Sequence, residues 1–360
     1  MNVGSTHYRS IWPNGDAAVG VIDQTRLPHA FATRTLTSSS DVLAAIKTMV
    51  VRGAPLIGVA GAYGLALAMR EDAADANLAT AYERLNAARP TAVNLRWALD
   101  RMKGVLAPLP PGQRLRAAWL EAARIADEDV ALNQSIGRHA ADLLRAMHTE
   151  VKRPVQVLTH CNAGWLATVD FGTALSGLYQ AHDAGVPLHV WVDETRPRNQ
   201  GLLTAWELAA HGVPHTLIVD SAGGHLMQRG DVDLVLVGAD RVSARGDVAN
   251  KIGTYMKALA AHDNGLPFYV AVPSPTIDWL LRDEMNVAIE ERGVDEVSRL
   301  TGIAADGGVT SVRIVDQGTV VANPAFDITP ARLVTGIITE RGIAAPADLA
   351  ALFPESRRAT

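Results

Sequence analysis

The hydrophobic rhythm of the chain changes at Lys152-Arg153-Pro154. Before that point, apolar residues follow a short β start at helical spacing, and the pattern predicts helices over 41–49, 54–69, 78–88, 92–105 and 114–147. Pro108-Leu109-Pro110-Pro111-Gly112 breaks the series, because proline lacks the helical N–H donor. The last helix is long and acidic, with apolar residues at Ala118, Leu120, Ile125, Val130 and Leu132, and most of its charge is expected on a solvated face. After Pro154, short apolar runs alternate with helical stretches, at 155–159, 188–192, 216–219, 234–238 and 268–272. Each run has strand length and little polar alternation, as in a parallel sheet covered on both faces. The connections are long enough for helical crossovers. The expected fold is α/β. A mainly helical N-terminal domain with a small β element covers 1–150, and a Rossmann-like, doubly wound parallel-sheet domain covers 151–360.

Composition narrows the partners. At 360 residues, 48% hydrophobic and 20% charged, the chain has the make-up of a globular enzyme rather than a disordered one. A net charge of −5 argues against a nucleic-acid partner held by bulk positive charge. The uncharged stretch 54–69 lies between Arg52 and Arg70 and falls short of the roughly 20 residues a membrane span needs. It reads as a buried helix, in which Gly58, Gly61 and Gly64 mark close packing, and no membrane partner is expected. A single cysteine excludes an intrachain disulfide and any multi-thiolate metal site, and fits a reducing compartment. The first residues show no charged segment followed by an apolar one, so a cytoplasmic location is expected and the sequon at Asn133 goes unused. There is no Walker-type loop, no GxGxxG after a strand, no Gly-x-Ser-x-Gly elbow, and the eleven histidines lack zinc-ligand spacing.

Ligands of open α/β sheets bind beyond the carboxyl ends of the strands. Those ends carry His160-Cys161-Asn162, then Asp193-Glu194-Thr195-Arg196-Pro197-Arg198-Asn199-Gln200-Gly201, Asp220-Ser221, Asp240-Arg241 and Pro273-Ser274-Pro275. The first four bear ionisable or amide groups and are expected to form one site. Cys161 follows a strand and precedes a helical pattern, where a helix N-terminus favours a thiolate. Its alternative is a small buried apolar side chain. Asp240 emerges from the apolar run 234–239, where desolvation suits a carboxylate to acid–base work. Its alternative is a helix cap or an ion pair with Arg241. Gly246-Asp247-Val248-Ala249-Asn250-Lys251-Ile252-Gly253-Thr254 is expected to place Asn250 and Lys251 near a helix start, a ready anion site. Arg52-Gly53-Ala54-Pro55 offers a second one, with Pro55 suited to a first helical turn.

Taken together, Arg52-Gly53-Ala54-Pro55-Leu56-Ile57-Gly58, Arg89-Pro90-Thr91-Ala92-Val93-Asn94-Leu95, His160-Cys161-Asn162-Ala163-Gly164, Glu194-Thr195-Arg196-Pro197 with Gln200-Gly201, Val237-Gly238-Ala239-Asp240-Arg241, the 246–255 segment, Asn323-Pro324-Ala325-Phe326-Asp327-Ile328-Thr329-Pro330 and Thr339-Glu340-Arg341-Gly342 resemble the methylthioribose-1-phosphate isomerases over nearly the whole chain. That family shares its fold with regulatory subunits of the eukaryotic guanine-exchange factor of translation initiation and with ribose-1,5-bisphosphate isomerases. The resemblance implies that Cys161 and Asp240 are the catalytic pair. It also implies that Arg52, Gly53, Ala54, Arg89, Gln200, Asn250 and Lys251 hold a small sugar phosphate. By the same resemblance the enzyme works without metal or organic cofactor, as a homodimer, in methionine salvage.

The substrate so implied carries phosphate on its anomeric carbon and has no free aldehyde. Its isomerisation needs an acid for the ring oxygen and a group managing the C2 hydrogen or hydroxyl. Asp240 is expected to be the proton donor, Cys161 the base or a stabiliser, and Arg52 with Lys251 the phosphate ligands. The alternatives are isomerisation of a related sugar 1-phosphate, 5-deoxyribose 1-phosphate or ribose 1,5-bisphosphate, and a non-catalytic regulatory subunit of the same fold.

Overall fold

The computed structural model describes residues 1–89, 91–282 and 289–358; Pro90, within one of the family segments above, lies outside them. A short hairpin, β1 (Asn2–Val3) and β2 (Thr6–His7), precedes a three-stranded antiparallel sheet of β3 (Ile11–Asn14), β4 (Ala18–Ile22) and β5 (Thr33–Leu36). Five helices follow: α1 (Ser39–Lys47), α2 (Ala54–Glu71), α3 (Asp75–Asn86), α4 (Val93–Leu106) and the 41-residue α5 (Pro111–Val151). Every residue of α2 from Ala54 to Met69 is buried. Its glycines let α4 approach: a Cβ on Gly58 would lie 2.7 Å from Asn94 O, and one on Gly61 would strike Leu95. Among the described residues, no helix is long and apolar enough to cross a membrane.

Helix α5 belongs to two cores. Its first half (Ala118, Ala122, Ile125) packs into the helical N-terminal core, and its second half (Ile136, Ala140, Leu144) packs with the main sheet. Most of its charge is solvated, as expected, but Arg114, Glu121 and Asp129 are buried, and Leu120, read as one of its apolar positions, is exposed. Arg114 caps the carbonyls of Leu106 and Leu109, and Glu121 pairs with Arg101 and Arg124.

The second part alternates β6 (Val155–Thr159), α6 (Ala174–Asp183), β7 (Leu188–Asp193), α7 (Gly201–His211), β8 (His215–Ile218), α8 (Ala222–Gln228) and β9 (Leu234–Val237). A small hairpin of β10 (Arg241–Ser243) and β11 (Val248–Lys251) interrupts, followed by α9 (Thr254–Asp263), β12 (Phe268–Ala271), β13 (Ile277–Asp278), α10 (Asp295–Ser298) and the exposed pair β14 (Arg299–Ile303) and β15 (Val309–Arg313). Finally come β16 (Phe326–Thr329), β17 (Gly336–Thr339) and β18 (Gly342–Ala344). The main sheet has the order β18-β17-β12-β9-β6-β7-β8, parallel except for β18. All five anticipated strands lie in it, within one residue at each end. Strands β17 and β18 were not anticipated, although the apolar run from Leu333 to Ile338 carries a signal for the former.

Strand β6 runs outward through β7 to β8 on one side and is joined by β9 on the other, so the order reverses between β6 and β9. That reversal point opens a crevice at the carboxyl ends of the two strands. A second, four-stranded sheet, β13-β10-β11-β16, folds over the same end and returns residues 248–251 to the crevice.

Candidate active site

The crevice holds a cleft that is open to solvent at its mouth. Cys161 enters from the end of β6 and Asp240 from the end of β9, the two strands that flank the reversal. All nine residues singled out from the sequence line this one cleft: Arg52, Gly53, Ala54, Arg89, Cys161, Gln200, Asp240, Asn250 and Lys251. Three of the four expected strand ends contribute. The end of β8 does not, because β8 is the outer strand, two places from the reversal point. Its Asp220 instead accepts hydrogen bonds from the Thr195 and Arg196 amides, at 2.8 and 2.7 Å, and shapes the β7–α7 loop.

Cys161 has a left-handed backbone, φ +66°, a conformation that a side chain disfavours and that collects at functional turns. The loops hold it there. Its N–H donates to Thr195 Oγ1 at 2.8 Å, and its carbonyl accepts from Thr204 Oγ1 at 2.8 Å. The expected helix directly after the thiol is not present. A 3₁₀ turn at Trp165–Ala167 intervenes and α6 starts only at Ala174. The thiol therefore does not sit at the N-terminus of the helix that follows it. Burial pushes its pKa up, and the nearby charges of Arg52 and Lys251 offset part of that rise.

Asn250 and Lys251 also sit differently from expectation. They are the last residues of strand β11, not of a helical turn, because Val248–Lys251 pairs with β10 and β16. The Asp240 N–H donates to Ala249 O at 3.0 Å, which keeps the β11 end beside the carboxylate. The start of α9 is taken by the chain itself, since the Gly253 and Tyr255 amides donate to the Asp327 carboxylate at 2.6 and 3.2 Å. Helix α2 is the one that opens on the cleft. Its N-cap is Gly53, at φ +96°, with no capping side chain, and Ala54 and Pro55 form its first turn at the cleft wall. An uncapped helix N-terminus attracts an anion.

Four cations surround the cleft. Arg52 donates to both the side-chain and the backbone oxygen of Asn162, the latter at 2.8 Å. Arg89 pairs with Glu290 at 3.0 Å, and its buried Nε has no partner among the described residues. The Lys251 ammonium donates to Ala325 O at 3.0 Å and lies 4.8 Å from the centre of the Phe326 ring. Burial, with Arg292 nearby, lowers its pKa to about 8. Arg292 is the residue that the sequence reading missed. It stacks on Phe326 at 5.3 Å and brings a fourth positive charge from a loop far along the chain. No local motif marks it. The Asp240–Arg241 ion pair does not form: Arg241 turns to Asp278, at 3.5 Å, and to Thr91 O. The amide oxygen of Gln200 is buried at the cleft with no hydrogen-bond partner among the described residues.

His160 also lines the cleft; its Nε2 donates to Ile252 O at 2.8 Å and its Nδ1 faces Asp193 at 3.1 Å. His160, Asp193 and Asp220 form a potential metal-ligand cluster among the described residues. The Lys257 ammonium lies 2.9 Å from the same Asp193 oxygen and supplies the positive charge there. The cluster thus ties the Cys161 turn to the end of β11.

The model of the initiation factor 2 subunit family matches residues 50–346. A methylthioribose-1-phosphate isomerase of Rhodospirillum centenum is 61% identical over 99% of this chain and 96% of its own. Among solved structures, the 5-methylthioribose 1-phosphate isomerase of Pyrococcus horikoshii superposes with a TM-score of 0.82 at 39% identity, covering 99% of this chain and 97% of that one. A protein of A. fulgidus described as the delta subunit of translation initiation factor eIF-2B gives 0.78 at 40% identity, over 98% of this chain and all of that one. The chain belongs to the initiation factor 2 subunit family and, within it, to the methylthioribose-1-phosphate isomerases.

Proposed function

We propose that this chain converts 5-methylthioribose 1-phosphate to 5-methylthioribulose 1-phosphate, the aldose-to-ketose step of methionine salvage. The observation that carries the reading is the meeting of Cys161 and Asp240 in one cationic cleft at the sheet's reversal point. The catalytic and binding roles that follow are part of the proposal.

Arg52, Lys251 and the open first turn of α2 hold the phosphate dianion. Asp240 gives a proton to the ring oxygen as the C1–O bond breaks. Hydrogen passes from C2 to C1, either as a hydride or through proton exchange. The C2 hydroxyl loses its proton and becomes the ketone. Cys161, in its water-poor position, takes that proton or stabilises the charge that develops. Product formation is to be measured for Cys161→Ser and Asp240→Asn, with folding checked by circular dichroism. Each is expected to lose at least about a hundredfold in kcat. Either variant keeping near-wild-type kcat removes its residue from the catalytic pair.

A second reading, a non-catalytic subunit, is favoured by the likeness to the A. fulgidus protein. Turnover by the wild-type chain eliminates it. Arg292 gives the cleft the extra cation that a second phosphate would use, so ribose 1,5-bisphosphate and 5-deoxyribose 1-phosphate belong in the same assay. The methylthio sugar is expected to show the highest kcat/KM. The resemblance further supports a homodimer, which light scattering tests, and a cytoplasmic location, which cell fractionation tests.

A further inference from the structure

Glu207 lies on α7 and is fully enclosed, yet it does not line the cleft. Its carboxylate accepts four hydrogen bonds: from Asn162 Nδ2 at 2.9 Å, Trp165 N at 2.8 Å, Leu166 N at 3.3 Å and Tyr179 OH at 2.7 Å. Gly164 leaves the space it occupies, since a Cβ there would run into the carboxylate. Asn162 is also buried, and its amide is oriented by what surrounds it. The NH2 group points to Glu207 and Thr204 Oγ1, which leaves the amide oxygen for Arg52. The Asn162 backbone oxygen takes the second guanidinium nitrogen. A carboxylate, an amide and a guanidinium thus form one line, with each dipole aligned to the next.

We propose that Glu207, acting through Asn162, is the positioning residue for Arg52: it fixes the amide so that the two Asn162 oxygens grip the guanidinium and hold it beside Cys161. The proposal rests on the reading above, in which Arg52 meets the substrate. An unanchored arginine samples many rotamers, and ordering it at the moment of binding costs affinity. Held in place beforehand, it presents its free edge to the phosphate and keeps positive charge near the thiol. The carboxylate also balances a guanidinium that burial would otherwise disfavour.

Glu207→Gln tests this with almost no change in volume. The shorter Trp165 N–H bond claims the glutamine oxygen, and the new NH2 then faces Asn162. Asn162 turns its oxygen inward and presents NH2 to the Arg52 guanidinium, so the grip is lost. Steady-state kinetics of wild type, Glu207→Gln, Arg52→Lys and the double variant form a cycle. Glu207→Gln is expected to lower kcat/KM about tenfold, mostly through KM, and to change it less than about twofold in the Arg52→Lys background. Equal factors in both backgrounds, or a folded Glu207→Gln within about twofold of wild type, overturn the proposal. If Glu207→Gln does not fold, Asn162→Ala enters the same cycle under the same criteria.

A second readout needs no turnover. Cys161 is the only cysteine, so iodoacetamide alkylation reports on its thiol alone. The pH at which alkylation accelerates is expected to rise in Glu207→Gln, because Arg52 no longer stabilises the thiolate. An unchanged profile counts against the relay. Failure of the wild type to isomerise methylthioribose 1-phosphate would sink the functional reading while leaving this second test decisive.

Discussion

Among the cleft residues, Lys251 and Cys161 titrate in opposite senses for one reason. Burial disfavours the charged form of each, lowering the ammonium pKa and raising that of the thiol. Lys251 keeps its charge below about pH 8 and loses it above. If it holds the phosphate, KM should rise several-fold between about pH 7.5 and 9.5, since each pH unit past the pKa costs up to about tenfold in the charged fraction. Lys251→Arg, charged throughout, should flatten that rise. A rise that persists in Lys251→Arg points to a different group. The thiol's raised pKa makes Cys161 mostly protonated at neutral pH. A protonated thiol cannot take up the C2 hydroxyl proton, so at neutral pH Cys161 acts as a base only through the thiolate that Arg52 and Lys251 favour.

Elements place these residues through their ends. Helix α2 starts at Gly53, whose φ of +96° and contact with Ala167 leave no room for a Cβ. Gly53→Ala should destabilise the fold by about 2–4 kcal/mol, combining backbone strain with overpacking. It should also raise KM by shifting the first turn of α2. Thermal unfolding together with KM checks this, and an unchanged melting temperature would mean that the turn relaxes freely. Strand β11 is held by two partners, and that pairing brings Asn250 and Lys251 beside Asp240. The helix it precedes is already capped by Asp327, so the ammonium, not the α9 amides, remains for an anion.

At the scale of the whole molecule, α5 joins the helical core to the sheet, and Asp129 sits on it in a buried position. The Asp129 carboxylate accepts the Val169 N–H at 2.8 Å, and burial pushes its pKa up to about 7. The folded state therefore holds a proton that the unfolded chain releases near pH 4. This group costs stability increasingly as pH rises from about 4, and the cost levels off above about 7. Asp129→Asn carries no such cost. Its advantage over wild type in urea unfolding should grow by about 1–3 kcal/mol between pH 5 and 8, less than the full shift implies because the site relaxes. A constant difference across that range would show that Asp129 is ionised throughout. Such a carboxylate helps fix α5 against the segment that follows Cys161, at the junction of the two cores.

The sequence by itself determined the class of fold, the five N-terminal helices, the five central strands and the polar groups at the strand ends of the cleft, whereas Arg89 came from the family resemblance alone. Those follow from local physics. Periodicity sets the elements, and strand ends in a parallel sheet must carry the ligand groups. Tertiary structure decided the rest. Thiol, ammonium and carboxylate pKa values depend on burial, which no local pattern measures. The β10–β11–β16 pairing, which turned an expected helix start into a strand, depends on partners about 80 residues apart in sequence. Arg292 joins the cleft only because a distant loop folds over Phe326. Asp220 looked like a site residue until strand order placed it at the sheet's edge. Glu207 reads as an ordinary helical glutamate in the sequence; only the fold shows that it stands behind Asn162 and Arg52.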